Sequence, residues 1–474
     1  MPKNSSSSKS NNSISSLSKL KDSEYDTIKY RVEFAKTLIE NTTLNNIVDY
    51  DVAETENFTG PANKSYREEH GNSKKHHTRY LLDKKYKDLG DFMEEMGGNL
   101  YYVKSGSTGH TFKGHVVDPE TGNKYYYALK IAAYTNNNKE NRIFYGDYRN
   151  IKRPENAEIR MIKLLSYFVI KEQTPHIVLP IVTFNTSIKP FVELFKDKQV
   201  SDNKKKKIKK YLEFVKKYQQ GRFYDKVSVL LSEWANRGDF LDYLRNEYKN
   251  ITLTMWKVFF FQIISVLAVI QTKYPSFRHN DMKANNILIH EIGQRSKKSY
   301  FNYQIGKCVF NIPNIGFRLK LWDFDFACIP GVVDNNKVTA KWTDDINVTI
   351  EQNRYYDMHY FFNTLIRDGF VPQIMTDSIV PQEVKNFIRR IVPTEYRLFV
   401  TDNDEYFEYG KYLPKTCYKL LVNDETIKKC NALEKYKAYI GNVHERGRLL
   451  VNDEYLLPIN VLTNDPFFAE FKKY

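Results

Sequence analysis

Cysteine is scarce. The four cysteines in 474 residues, Cys308, Cys328, Cys417 and Cys430, show no C-x-x-C spacing and no histidine cluster beside them. That argues against a disulfide framework and a structural zinc site, and it suits a reducing compartment. Long apolar runs are missing as well. The longest, Val258 to Ile270, is interrupted by Gln262 and Ser265, is short for a bilayer and fits a buried helix. The N-terminus is Ser/Asn/Lys-rich without an apolar core segment, so the expectation is a chain with no signal peptide and no transmembrane segment, working in the cytoplasm. Acid is in deficit: 57 Asp and Glu stand against 72 Lys and Arg, for a net charge of +15. A basic excess admits nucleic acid, anionic lipid or acidic protein partners. Yet the densest basic run, Lys204 to Lys210, has no interleaved aromatics for base stacking. It reads as a solvated helix face, and nucleic acid is disfavoured as a partner.

What is present is apolar mass. Hydrophobic residues make up 41% and aromatics 15%, enough for a sizeable core, and the length suits a two-lobed domain with extensions. Residues 1–22 are a low-complexity tail expected to be disordered, and 23–97 alternate charged and apolar positions without domain logic. A new texture begins near Asn99. Leu100–Lys104 reads as a strand, His115–Val117 as a second, and Gly106-Ser107-Thr108-Gly109 lies between them, where a backbone free of side chains could close over phosphates. Tyr125–Ile131 is a third strand. Its alternation sets Ala128 and Lys130 on one face, leaving room beside the lysine for a flat ring. The segment from Glu155 to Lys171 has helical spacing and carries two acidic candidates, Glu158 and, one turn earlier, Glu155. A basic insertion spans about 190–222. Val227–Ala235 reads as a buried strand running into a linker, where Asp239 can cap the next helix.

The most informative stretch is Arg278–Leu288, which reads H-x-D-x-K-x-x-N before an apolar strand. Asp281 can accept or orient a hydroxyl proton, Lys283 can hold a transferred phosphate, and the amide oxygen of Asn286 can ligate a metal. A polar hairpin-like insertion at 291–316 follows, then a strand, 317–321, running into Asp323-Phe324-Asp325.

In this order the motifs resemble those of the protein kinase superfamily, from about residue 98 to 400. The finer flavour, with D-F-D and Tyr356-Asp357-Met358-His359-Tyr360-Phe361, is similar to the divergent serine/threonine kinases of large DNA viruses: the poxvirus virion-assembly kinase and its mimivirus-like relatives. The resemblance implies an α+β, bilobal protein-kinase-like fold. A small, mostly β N-lobe (98–235) and a larger, mostly α C-lobe (236–400) would be followed by a C-terminal extension (401–474) packed on the C-lobe. It implies transfer of the ATP γ-phosphate to serine or threonine of protein substrates, with Mg²⁺ or Mn²⁺, in the host cytoplasm or packaged in the virion. Asp281 and Lys283 would be catalytic. Gly106, Ser107, Thr108, Gly109, Lys130, Glu158, Glu233, Ala235 and Asp239 would bind ATP, with Ser232 as a small gatekeeper. Asn286 and Asp323 would hold the metal, and Asp357 would hold the catalytic-loop backbone.

The departures carry expectations of their own. Asn280 stands where the family has an arginine that binds an activation-loop phosphate, so no such phosphate should be required, with Arg278 as a candidate substitute. Asp325 replaces a flexible glycine, which should make the flipped state of Asp323-Phe324 rare. No A-P-E occurs between Asp323 and Asp357, leaving Asp345, Glu351 or neither to pair with Arg397. Leu420–Glu425 recurs as Leu449–Glu454, which reads as short helical hairpins with Asn-Asp caps. Three alternatives stand beside this: a silent pseudokinase scaffold, a small-molecule phosphotransferase of aminoglycoside-kinase type, and a nucleic-acid-binding protein. The intact Lys130, Asp281, Asn286 and Asp323 oppose the first. Lys283 opposes the second.

Overall fold

A computed structural model describes residues 27–48, 82, 84–106, 108–118, 121–136, 145–194, 205–292, 299–393, 396–397, 443–444 and 446–473. The low-complexity tail, Ser107 of the glycine turn and the first copy of the C-terminal echo at 420–425 lie outside the described residues.

The protein is mixed α+β. A five-stranded antiparallel sheet comes first, in the order β1-β2-β3-β5-β4: β1 Asn99–Ser105, β2 Gly109–Val117, β3 Lys124–Thr135, β4 Pro180–Ser187 and β5 Phe223–Glu233. Alternation in β3 decides its two faces. Tyr127, Leu129, Ile131 and Ala133 are fully buried in one core, while Lys130 is only half-buried on the other face. The second strand is longer than expected. It starts at Gly109, so only the turn at 106–108 remains as loop, and Thr111 and Phe112 pair with Lys130 and Leu129. The reason is steric as well as hydrogen-bonded: a Cβ on Gly109 would lie 1.8 Å from the Ile131 carbonyl oxygen, so glycine lets the strands meet there.

Two helices precede the sheet, α1 Ile28–Thr37 and α2 Leu89–Met96. Thr27 caps α1 by accepting from the Tyr30 N–H, and Asp88 caps α2. Their apolar faces (Phe34, Ala35, Phe92, Met96) join the sheet's core, so part of the N-terminal extension is integral to it. Pro154 at the first turn, followed by Glu155, starts α3 Pro154–Ile170. The basic run opens α4, Lys205–Gln219. Lys209 and Lys210 are exposed while Tyr211 and Phe214 are buried, the latter against His110 at 4.3 Å between ring centroids.

The helical part is built on a long helix that follows α5 Phe240–Glu247: α6, Leu253–Lys273, capped by Thr252. At 21 residues α6 is longer than the Val258–Ile270 apolar run and long enough to cross a bilayer, but 78% of its most apolar window is buried in protein: it is a core helix. Around it pack α5, the pair β6 Ile287–Glu291 and β9 Phe317–Leu321, α7 Tyr356–Leu365 and α8 Gln382–Ile391. The insertion at 291–316 is a hairpin as expected, β7 Tyr300–Ile305 with β8 Cys308–Pro313. Near the end of the chain α9 Pro458–Asn464 lies on α6, and β10 Lys472–Lys473 adds to β8. The second copy of the echo is not helical. Asn347 donates to the Leu449 carbonyl, Arg354 pairs with Glu454 at 2.5 Å, and these contacts hold 449–454 out of helix. Asp465 does cap the helical turn that follows it.

Candidate active site

The catalytic-motif segment is held from below by one carboxylate. Asp357, fully buried at the start of α7, accepts from the backbone N–H groups of His279 (2.6 Å) and Asn280 (2.9 Å). This is the contact expected of it. Asn280 adopts φ +61°, a left-handed conformation that Asn tolerates, so the chain bends sharply just before Asp281. Asn286 then donates to Oδ2 of Asp281 at 2.9 Å and to its carbonyl at 2.9 Å, and Lys283 pairs with the same carboxylate at 2.9 Å.

From Asn286 the network continues to Trp322 and Asp323. The Trp322 N–H donates to the Asn286 carbonyl, and the ring of His279 contacts the Trp322 carbonyl at 3.1 Å. Asp323 follows, at φ +63°. Its Oδ1 meets the Lys130 ammonium at 2.8 Å, and the other partner of that ammonium is Glu158 at 2.6 Å. Glu158 is therefore the acid on α3 that reaches the strand lysine. Glu155 pairs with Arg153 instead, at 3.2 Å. The sequence-predicted residues Glu158, Lys130, Asp323, Asn286, Asp281 and Lys283 thus lie in one continuous network.

Burial opposes charge on Lys130, but the carboxylates of Asp323 and Glu158 more than reverse this and hold its pKa above the ordinary lysine value. Burial likewise opposes charge on Asp323. Lys130 outweighs it and keeps that carboxyl below the usual range. Glu158 goes the other way: burial, reinforced by the charges of Asp323 and Asp325, pushes it up to about 7 against the pull of Lys130. One ammonium serves two acids, and the more buried one is the more easily protonated.

The remaining predicted residues sit around this network. Gly106 and Gly109 close a tight turn, Gly106 N–H to Gly109 carbonyl at 2.8 Å, with Thr108 exposed at its tip. Ser232 is buried opposite Ala128 on the β3–β5 pair. Ala235 is buried in the linker. Asp239 is half-buried and caps α5 through the Asp242 N–H at 3.0 Å. Glu233 has side-chain partners that its sequence context conceals. Its N–H is spent on the Leu179 carbonyl, and its buried side chain meets Arg31 of α1 at 2.5 Å and Lys320 of β9 at 2.9 Å.

Other unforeseen partners matter. Lys337 donates to Asp325 and lies over the Phe326 ring, 3.8 Å from its centroid, which pins the residue standing in place of glycine. Arg278 is buried over the Tyr356 ring and donates to the carbonyls of Asn347 (2.5 Å) and Glu351 (3.2 Å) and to the Thr349 hydroxyl (3.0 Å). Arg397 donates to the Val392 and Arg389 carbonyls. Arg448, far along the C-terminal extension, reaches Asp281 itself at 2.6 Å. Nothing local in the sequence points to this contact.

A family model described as Poxvirus serine/threonine protein kinase matches residues 127–400. The chain belongs to that family. A protein of Acanthamoeba polyphaga mimivirus named as a serine/threonine protein kinase is 39% identical over 444 residues, 93% of this chain and 80% of its own length. A second mimivirus protein so named is 25% identical over 322 residues, covering 62% of this chain and 78% of the relative. The monkeypox virus serine/threonine-protein kinase 2 is 29% identical over 146 residues, 29% of this chain and 28% of its own length. This kinase is accordingly of the viral serine/threonine type, and its family implies a bilobal fold, ATP, a divalent metal and protein substrates.

Proposed function

We propose that the kinase transfers the γ-phosphate of ATP to serine or threonine hydroxyls with the residues of this network in the roles the motifs suggest. The observation that carries the reading is the Lys130 ammonium held between Glu158 and Asp323, in the network that also contains Asp281. We read the β1–β5 sheet with α3 as the small lobe and the helical part as the large one, with 27–48 and 443–473 as extensions docked on them.

The donor chemistry fits a hard divalent cation. Asp323 offers an ionised carboxylate, with its side chain 37% exposed, and Asn286 an amide oxygen; Mg²⁺ is held in such sites by one or two protein oxygens and the phosphates of the substrate. Mn²⁺ suits the same oxygens. Bound there, the metal would supply neutralisation of phosphate charge. The chain's own residues do the rest. Lys130, steadied by Glu158, positions the phosphates below the turn at Gly106–Gly109. The Glu233 carbonyl and the Ala235 backbone are offered to the adenine beside a small Ser232. Asp239 is placed to meet a ribose or a basic substrate residue. Asp281 orients the acceptor hydroxyl and takes its proton as the oxygen attacks, and Lys283, leaving Asp281, balances charge on the moving phosphoryl group.

Activity in the host cytoplasm is supported by the viral relatives and the cysteine-poor composition. The test is transfer of labelled γ-phosphate to casein and basic protein by wild type, Asp281→Ala and Lys130→Ala. Phosphoserine or phosphothreonine made by wild type and by neither variant supports the reading. Nucleotide binding with no transfer by wild type replaces it with a silent scaffold.

A further inference from the structure

The proposed catalytic carboxylate has a partner that comes from outside the catalytic motifs. Arg448 enters from the C-terminal extension and is 5% exposed. Its Nη2 donates to Oδ1 of Asp281 at 2.6 Å. Its Nη1 donates to the Asn280 carbonyl and, at 3.2 Å, to the Tyr356 hydroxyl. The guanidinium lies over the Tyr360 ring, 4.3 Å from the centroid. One planar fork therefore spans the backbone of the residue before Asp281, the carboxylate of Asp281, and two aromatic side chains of α7. Arginine is suited to this, with several donors in a fixed plane and a face that stacks.

We infer that Arg448 is a positioning residue for phosphoryl transfer: it fixes the bend at Asn280 and reserves Oδ1 of Asp281, so that Oδ2 is the oxygen presented to the acceptor hydroxyl. This rests on the proposed role of Asp281. The division of the carboxylate supports it. Oδ2 carries the shorter bond from the half-buried Lys283, at 2.9 Å against 3.2 Å to Oδ1, together with the bond from Asn286. Lys283 sits on a flexible stem and can leave. Arg448 is locked on four groups and cannot leave without vacating a buried pocket. When Lys283 moves away, Oδ2 gains a free lone pair while Oδ1 remains engaged. The hydroxyl proton then passes to Oδ2, and the acceptor oxygen's electron pair goes to phosphorus as the bond from phosphorus to the leaving oxygen of the diphosphate breaks.

The alternative, that this segment blocks the site as a removable inhibitor, fits the packing poorly. Leu449 is fully buried in the helical core, the Gly447 carbonyl accepts from Asn363, the Leu449 carbonyl accepts from Asn347, and Glu454 pairs with Arg354. The segment that carries Arg448 is built into the large lobe. The cation bonded to the Asn280 carbonyl comes from 168 residues away.

The experiment uses the full chain. Arg448→Lys and Arg448→Ala are compared with wild type, with Asp281→Ala as the inactive reference. Glu454→Gln is the control that loosens the same segment while leaving Arg448 untouched. The readouts are kcat and KM on casein, Kd for a fluorescent ATP analogue, and Tm. The expected result is a roughly 10- to 100-fold fall in kcat for Arg448→Ala, the scale of a misplaced reacting group. Kd for the nucleotide stays within about twofold, since Arg448 touches none of the proposed nucleotide-binding groups. Arg448→Lys falls between, and guanidinium ion added to Arg448→Ala restores part of kcat. Glu454→Gln keeps kcat near wild type. Three results overturn the inference: unchanged kcat in Arg448→Ala, raised kcat in Arg448→Ala, or an equal loss of kcat in Arg448→Lys and Glu454→Gln. If Arg448→Ala does not fold, Arg448→Lys against Glu454→Gln decides alone. Wild type that fails to transfer phosphate at all refutes the proposed function instead.

Discussion

Arg31 and Glu233 are 202 positions apart in sequence and 2.5 Å apart in the structure. The pair ties the first described helix to the end of β5, where the chain leaves the sheet. Arg31 donates to both oxygens of Glu233 and adds bonds to the carbonyls of Pro175 (2.9 Å) and Ile177 (2.6 Å), and Lys320 shares Oε2 of Glu233 with it. The N-terminal extension is thereby part of what holds this end of β5 in place. Burial opposes charge on Glu233, yet Arg31 and Lys320 together hold its carboxyl far below the ordinary value.

Arg31→Met leaves Glu233 to Lys320 and removes the donor to the Pro175 and Ile177 carbonyls, so it should cost about 1–3 kcal/mol of stability, measured by denaturant unfolding. The pH dependence has a definite sign. A depressed carboxylate contributes stability that is present above its unfolded value, 4.5, and is lost as pH falls below it. The gap between wild type and Arg31→Met should be widest near neutrality and shrink in acid. A gap that stays constant down to acid pH would show that Glu233 does not sense Arg31.

This pair also marks what the sequence could and could not reveal. H-x-D-x-K-x-x-N, the strand lysine Lys130, α6 and the hairpin at 300–313 were legible because their chemistry or periodicity is local. Even the choice of Glu158 over Glu155 was available, from its place in the pattern. The roles of Arg31, Arg448 and the Glu233 side chain were not, because each depends on a partner more than 150 residues away. The helical reading of 449–454 failed because its residues are held out of helix by Asn347 and Arg354, 102 and 100 residues away, which no local pattern announces.

Glu158 makes a prediction about acid. Its pKa, pushed up to about 7 mainly by burial, means the Lys130–Glu158 pair is fully ionised only above neutrality. Phosphoryl transfer should therefore rise through an acid limb near pH 7. The same site's contribution to stability runs in the opposite direction: a raised folded pKa favours the folded protein below the unfolded value, 4.5, and that advantage is lost as pH climbs from there through about 7. In Glu158→Gln the rate should drop roughly 100-fold and this limb should vanish. Comparing the two proteins across pH removes the titration of ATP itself, which is common to both. A limb unchanged in Glu158→Gln would assign it elsewhere.

Arg278 predicts independence from activation-segment phosphorylation. Its guanidinium is already engaged by the Asn347 and Glu351 carbonyls and the Thr349 hydroxyl. Protein groups thus do the work that a phosphate would otherwise do. Phosphatase-treated enzyme should keep kcat within about twofold of untreated enzyme, because no Arg-bound charge is lost. A large loss that is reversed by autophosphorylation would reject this.

The two glycines of the turn between β1 and β2 should behave differently. A Cβ on Gly109 would lie 1.8 Å from the Ile131 carbonyl oxygen and 2.8 Å from its carbon, both backbone atoms of the strand that carries Lys130. Gly109→Ala must therefore push β2 off β3. It should lower stability by at least about 1–3 kcal/mol, the ordinary cost of overpacking. A Cβ on Gly106 meets nothing closer than the Gly109 oxygen at 3.7 Å. Gly106→Ala should change stability by less than about 0.5 kcal/mol, as surface substitutions do. Any rise it causes in KM for ATP would then report on the approach of phosphates to the turn and not on folding. Thermal melts and ATP titrations of both variants separate these effects: equal melting losses would mean that the turn itself, and not the contact with Ile131, fixes residue 109 as glycine.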